Sequence, residues 1–290
     1  MKYFSETIED YTSTALLLNA VDVARKRYQS NPEIVKLSTT TNIPPELKFP
    51  NDPDYTFGRE ELVSKYRGDI IRKIASDYLI KNISTLDALL EDIYSIILKT
   101  DNSMSEKDIG KKIRAAWSND NLKRCILDEL DIQQPPKKKS TPEMSFEVYQ
   151  CWRELRHALV HNKGKLGTKH INRLQQFESR LPKESHLLKS HLIKGNKIVL
   201  NFDSVLILRH WVYSFIFYLD YSFHVTLIYK RLLDYVNSGN IHLVRSDGKK
   251  YEGQIKEVHF EEYNLKLKRN IDGSEINIQL DKITNYKGLD

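Results

Sequence analysis

Residues 151–164 read CWRELRHALVHNKG. Trp152, Leu155 and Leu159, with Val160 beside them, recur at the three- and four-residue spacing of a helix's buried stripe. The polar residues between them fall on what remains of the surface. Arg153 stands four residues before His157, and Arg156 five before His161. Five residues turn a helix through about 500°, which leaves Arg156 and His161 within about 140° of each other. A helix that loosens at Asn162-Lys163-Gly164 brings both side chains to one rim.

On the upstream side, Gln134 to Thr141 reads QPPKKKST. Two prolines end any helix, and Lys137, Lys138 and Lys139 make an exposed loop: a solvated connector or a phosphate-contacting patch. The motif helix is then expected over 142–162, with a basic stretch and a short helix near 169–180 after it. A long helix is expected over about 202–237. Its most apolar part, Val205 to Tyr229, is broken by Arg209, His210, Asp220 and His224. That reads as a buried helix, too interrupted to span a membrane.

Nearer the start, Leu16, Leu17, Ala20, Val23 and Ala24 suggest the apolar stripe of a helix over 6–30. Residues 31–58 carry Pro32, Pro44, Pro45, Pro50 and Pro53 and read as an ordered loop or linker. Leu62, Tyr66, Ile70, Ile74 and Tyr78 form a second stripe, and a further helix is expected from Ser84 or Thr85, carrying Leu86, Leu89, Leu90, Ile93, Ile96 and Ile97. A shorter helical pattern follows near 105–131.

After Asn237-Ser238-Gly239 the period changes from 3.6 to 2. IHLVRS, YEGQIKEVHF, YNLKLK and EINIQL alternate apolar and polar residues, with Asp247-Gly248 and Asp272-Gly273 as hairpin turns. Five short strands here suggest a small barrel of SH3 or Sm-like type that folds on its own. The expected organisation is an N-terminal helix and linker (1–58), a helical domain (59–237) and a small all-β domain (238–290). The chain is thus mainly α, and its scarcity of glycine (11) and proline (9) agrees. Two cysteines, Cys125 and Cys151, make no disulfide framework and favour a reducing, cytoplasmic setting. MKYFSETIEDYTS lacks the basic start and apolar run of a signal peptide.

The string RHALVHNKG resembles the R-x4-6-H signature of the HEPN superfamily. Arg156 matches the arginine, His157 the polar residue after it, His161 the histidine, and Asn162 an asparagine frequent in some branches. The resemblance covers roughly 59–237, with long helices before and after the motif, and is to the prokaryotic branch of RNA-targeting toxins and defence nucleases. It implies a helical bundle and a homodimer in which two motifs build one cleft. It also implies RNA cleavage with Arg156 and His161 as catalytic residues, and a protein regulator or antitoxin as partner. His157, Asn162 and Arg153 then support the site. Asp87 is the acidic candidate from the preceding helix, against the alternative of a plain surface carboxylate. In toxins paired with a nucleotidyltransferase, a tyrosine stands two residues after the histidine; Lys163 stands here, so that modification is not implied.

The chemistry agrees. RNA carries its own nucleophile, the 2′-hydroxyl. Its attack needs a proton acceptor, a proton donor for the leaving 5′-oxygen, and positive charge on the crowded phosphate. Histidine titrates nearest neutrality and arginine offers a fixed fork of donors, so no cofactor and no metal are required. His186 and His191 lie close together in SHLLKSHL, but no cysteine or carboxylate cluster accompanies them, and a metal site is rejected. Residues 137–200 hold ten Lys and four Arg against five Glu and no Asp. Their local charge of +9 exceeds the +6 of the whole chain, which favours an anionic ligand around the motif, with Lys163 and Lys165 beside Lys137–Lys139 as RNA contacts. The competing reading is a HEPN domain without catalysis, a dimerising or nucleotide- or RNA-binding scaffold.

Overall fold

A computed structural model describes residues 2–31, 36–38, 45–48, 51, 55–99, 104–118, 125–126, 141–188, 190–236, 239–259, 262 and 264–289. These are mostly helical, followed by a five-stranded antiparallel sheet. No described helix is long and apolar enough to cross a membrane. The chain divides into two compact units: Met1–Ala88 with Glu147–Tyr213, and Leu89–Phe146 with Ser214–Asp290.

In the first unit, helix α1 (Lys2–Ser30) buries Thr7, Asp10, Thr14, Leu18 and Val21. This reverses the face expected from its leucines: Leu16, Leu17 and Val23 are 66%, 56% and 58% exposed. Leu18 and Val21 join the core on that face, and the Phe4 and Tyr11 rings lie 5.2 and 6.4 Å from those of Tyr213 and Tyr78. The Thr7 hydroxyl donates to the Phe4 carbonyl at 2.8 Å, and Asp10 pairs with Lys81. Between α1 and the next helix, strands β1 (Lys36–Ser38) and β2 (Thr56–Gly58) pair antiparallel where a loop was expected.

Helices α2 (Arg59–Arg67) and α3 (Asp69–Lys99) meet at Gly68, and α3 runs through Ser84 and Thr85 without the expected cap. Ser84 is tolerated inside the helix because its hydroxyl donates back to the Ile80 carbonyl at 2.8 Å. The break at Gly68 shifts the phase of the stripe. Leu62 is buried before it, whereas Ile71, Ala75, Tyr78 and Leu79 are buried after it and Tyr66, Ile70 and Ile74 only half-buried.

Helix α4 (Glu106–Ser118) lies in the second unit, and α5 (Pro142–Asn162) follows it in the chain. Thr141 Oγ1 accepts from the Met144 N–H at 3.2 Å, and Pro142 occupies the first turn, where a missing N–H costs nothing. Tyr149, Trp152 and Leu155 are buried, with Trp211 of α7 (Phe202–Leu233) 6.5 Å from the Tyr149 ring and 6.2 Å from Trp152. Leu159 is half-buried and Val160 is exposed, so the stripe ends a turn before the motif does. Helix α6 (Thr168–Glu178) and the hairpin β3 (Ile193–Lys194)/β4 (Lys197–Ile198) lead to α7. There Asn201 and Ser204 cap each other reciprocally: Ser204 N–H to Asn201 Oδ1 at 3.1 Å and Asn201 N–H to Ser204 Oγ at 2.9 Å.

In the second unit, α4 (Glu106–Ser118) starts at Ser105, whose Oγ accepts from the Asp108 N–H at 3.3 Å. The sheet runs β8 (Glu275–Gln279), β7 (Asn264–Arg269), β6 (Lys250–His259), β5 (Asn240–Arg245), β9 (Ile283–Leu289). Asp247-Gly248 lies between β5 and β6, and Asp272-Gly273 between β7 and β8; the two glycines have φ of 79° and 65°. Alternation places Ile241, Leu243, Ile255, Leu265, Leu267, Ile278 and Ile283 in one core. That core also holds Ile228 and Leu232, with Tyr235 against it, all from before residue 238. Hence the last turns of α7 belong to the β core. At Gly253 of β6, a Cβ would stand 2.0 Å from the Lys268 carbonyl oxygen.

Candidate functional site

The motif sits in the last three turns of α5, within the first unit. On the side toward α3, Asp87 gathers a hydroxyl donor and two guanidiniums. The Tyr149 hydroxyl donates to it, Arg153 Nε lies 3.4 Å from Oδ1, and an Arg156 terminal nitrogen 4.0 Å from Oδ2. The other Arg156 terminal nitrogen donates to Ser84 Oγ at 3.3 Å, and its buried Nε has no hydrogen-bond partner. Burial pushes the Asp87 carboxyl above its ordinary value, against the pull of the Tyr149 hydrogen bond and the two guanidiniums. The Tyr149 hydroxyl is likewise pushed up, first by burial and then by the Asp87 charge. Asp87 thus bridges the two arginines of the motif helix, where the sequence left a surface carboxylate open as the alternative.

On the side toward α6 the groups are imidazoles. His157 and His161 are both exposed, their ring centroids 4.5 Å apart, and His157 lies 5.3 Å from His170. Partial burial, then the neighbouring His161 and His170, lower the His157 pKa. His170 is buried. Its Nε2 meets Asn162 Nδ2 at 2.9 Å and its Nδ1 meets Glu154 Oε2 at 2.8 Å; Arg173 donates to the other Glu154 oxygen at 2.8 Å. With the amide nitrogen toward the ring, Nε2 accepts and the Nδ1–H donates to Glu154. This chain ties the motif's Asn162 to α6.

Arg156 and His161 are not brought to one rim. The helix stays regular through Asn162, and among the described residues no hydrogen bond joins the two side chains. The chain then turns through Lys163 (φ 51°) and Gly164 (φ 75°), with the Gly164 N–H donating to the Ala158 carbonyl at 2.9 Å. The β3/β4 hairpin holds this turn: Ile198 N–H donates to the Gly164 carbonyl at 2.9 Å, and Leu166 N–H to the Asn196 carbonyl at 2.7 Å. Lys163 and Lys165 are exposed beside it. Lys137, Lys138 and Lys139 lie outside the described residues.

His186 faces the protein, 3.0 Å from the Leu181 carbonyl, next to a Glu178 that accepts the Leu187 and Leu188 N–H groups at 2.6 and 2.9 Å. Among the described residues no group of three or more His, Cys, Asp or Glu side chains is placed to hold a metal ion. Sequence reasoning missed Tyr149, Ser84, Glu154, His170 and Arg173. Tyr149 reads as core aromatic and Ser84 as a cap, while the Glu154–His170 pair spans 16 residues across a helix boundary with no periodic signal. No family model matches the chain, and no curated protein or solved structure matches it.

Proposed function

We propose that this chain is a metal-independent endoribonuclease of HEPN type, acting on RNA as a homodimer in which each copy contributes one motif. The observation that carries the reading is the exposed His157–His161 pair, 4.5 Å between ring centroids, on a helix that also holds two guanidiniums around Asp87. One imidazole takes the proton of the ribose 2′-hydroxyl as its oxygen attacks the neighbouring phosphorus. A protonated imidazole gives its proton to the departing 5′-oxygen, so the P–O5′ bond breaks and a 2′,3′-cyclic phosphate and a 5′-hydroxyl result. His161 is the proton carrier, Arg156 and Arg153 supply positive charge to the phosphate, and His157 and Asn162 support. Lys163 and Lys165, with Lys137–Lys139, extend the contact to the strand. Such an enzyme suits a cytoplasmic toxin or antiviral effector held by a protein regulator.

The sheet's connectivity supports a small barrel of SH3 or Sm-like type. Four strands meander, and a fifth returns across the 3-10 turn Leu280–Lys282 to pair with the first.

One observation favours the competing reading, a non-catalytic HEPN scaffold: Arg156 is engaged by Asp87 and Ser84 rather than free at the rim. Incubation with total RNA in EDTA separates the two. Wild type is expected to cut RNA to 5′-hydroxyl products and to leave DNA intact, and His161→Ala to cut neither. Cleavage of DNA, or cleavage only with added divalent metal, overturns the mechanism. No cleavage by wild type leaves the scaffold.

A further inference from the structure

The outer face of α1 is apolar in its middle and charged at its ends. Leu16, Leu17 and Val23 are more than half exposed, and Ala20 is exposed beside them. At 100° per residue, Leu16 and Ala20 flank one line along the helix, and Glu9 and Arg27 both fall on that line. Glu9 and Arg27 are also exposed, and neither has an ion-pair partner among the described residues. The line is opposite the buried Thr7, Asp10, Thr14, Leu18 and Val21, so no part of the unit's core claims it.

We propose that this face is a docking surface for a second copy of the chain, paired antiparallel about a two-fold axis at the level of residue 18. The pattern is its own complement. A two-fold at that level sets residue i against residue 36 − i of the other copy. Leu16 then meets Ala20, Val23 meets Ser13, and Glu9 meets Arg27, each twice by symmetry. The two charges stand nine residues, about 13.5 Å, on either side of the axis. A parallel pair would set Glu9 on Glu9 and Arg27 on Arg27, and like charges in register oppose that arrangement. Large, small and apolar side chains in the centre with opposite charges at the rim form the usual anatomy of a protein interface. One helix face buries less than the roughly 800 Å² per partner of a standard interface. The association through α1 is therefore expected in the micromolar range. The inference is argued from α1 and does not rest on the ribonuclease reading.

Sedimentation velocity on the full chain over a concentration series tests it. Wild type should double in mass over the series, from monomer to dimer or, where the motif helices already pair two copies, from dimer to tetramer. Leu16→Glu should weaken the dimer by at least about tenfold, with an unchanged helical circular dichroism spectrum because the site is exposed. Glu9→Arg and Arg27→Glu should each weaken it, and the double variant Glu9→Arg/Arg27→Glu should restore it, since the swapped charges again face each other. A wild type whose mass never doubles, a doubling indifferent to Leu16→Glu, or a double variant weaker than both singles overturns the proposal. Because the readout is the sensitivity of that step to α1 substitutions, which a dimer paired through the motif helices would not share, its failure and the failure of the nuclease reading are distinguishable.

Discussion

Arg156 and His161 sit five residues apart on α5, yet their surroundings differ in kind. Arg156 is half-buried and tied to Asp87 and Ser84 of α3, in a network that includes a Tyr149 hydrogen bond. His161 is exposed and touches chiefly another exposed imidazole. A partly buried charge pair resists loss of either partner, because the remaining charge loses part of its compensation. An exposed histidine carries no such debt. The arginine side of the motif therefore holds structure and charge together, whereas the histidine side is exposed, as the proton carrier of the proposed mechanism has to be.

The sharpest way to break this contrast is His161→Ala. Removing a proton carrier is expected to lower RNA cleavage by about 10²–10⁴-fold, roughly 3–5 kcal/mol of barrier. The thermal midpoint should hold, as for most substitutions of exposed residues. A large fall in the midpoint would place His161 in the structure instead. Arg156→Ala should move both readouts: activity falls, and chemical denaturation should show a loss of about 1–3 kcal/mol as Ser84 loses a donor and Asp87 a neighbouring positive charge. Arg156→Lys keeps the charge but not the planar fork, and should recover stability more than activity.

A smaller effect separates the buried carboxyl from its neighbours. The folded-state pKa of Asp87 is raised above the ordinary 3.8. The group therefore contributes stability that is fully present below 3.8 and is lost as pH rises through the raised folded value. The stability of wild type relative to Asp87→Asn should fall over that rise and then level off, as followed by thermal denaturation across a pH series. A difference that grows with pH in favour of wild type would mean that the guanidiniums outweigh burial. Smallest of all, Lys163→Gly removes a side chain from a left-handed backbone position. It should stabilise the protein by up to about 1 kcal/mol, the cost of that conformation less the extra freedom of unfolded glycine, measured as a rise in thermal midpoint.

The sequence made α5, α6, α7 and the C-terminal strands legible because each is written in local spacing. The alternation of IHLVRS or EINIQL matches the sheet's inner face residue by residue, and hairpin glycines mark its turns. Elsewhere the deciding partners are distant. The buried face of α1 mixes Thr7, Asp10 and Thr14 with Leu18 and Val21, and its choice depends on distant groups such as Tyr78, Lys81 and Tyr213. The stripe in α2 and α3 changes phase at Gly68, a break that reads as an ordinary polar position within a helical window. At the site, Asp87 reaches Arg153 across 66 residues and His170 reaches Glu154 from another helix. No period in the sequence encodes such pairings. The expectation that Arg156 and His161 share a rim needed the helix end to loosen, and the hairpin that holds Gly164 prevents it.

Gly253 has a consequence for how this protein tolerates change. Its neighbour across the ladder is backbone, the carbonyl of Lys268, which cannot swing aside as a side chain can. Every other genetically encoded residue brings a Cβ to that place. In a saturation library at position 253, screened for folded protein, only glycine is expected to survive at full level, with alanine no better tolerated than valine or aspartate. The hairpin positions 248 and 273, whose glycines meet open space, should accept asparagine. A mutational landscape of the sheet would thus show one closed door among several that stand ajar, set by the backbone of Lys268 and Arg269 and not by any feature of residue 253 itself.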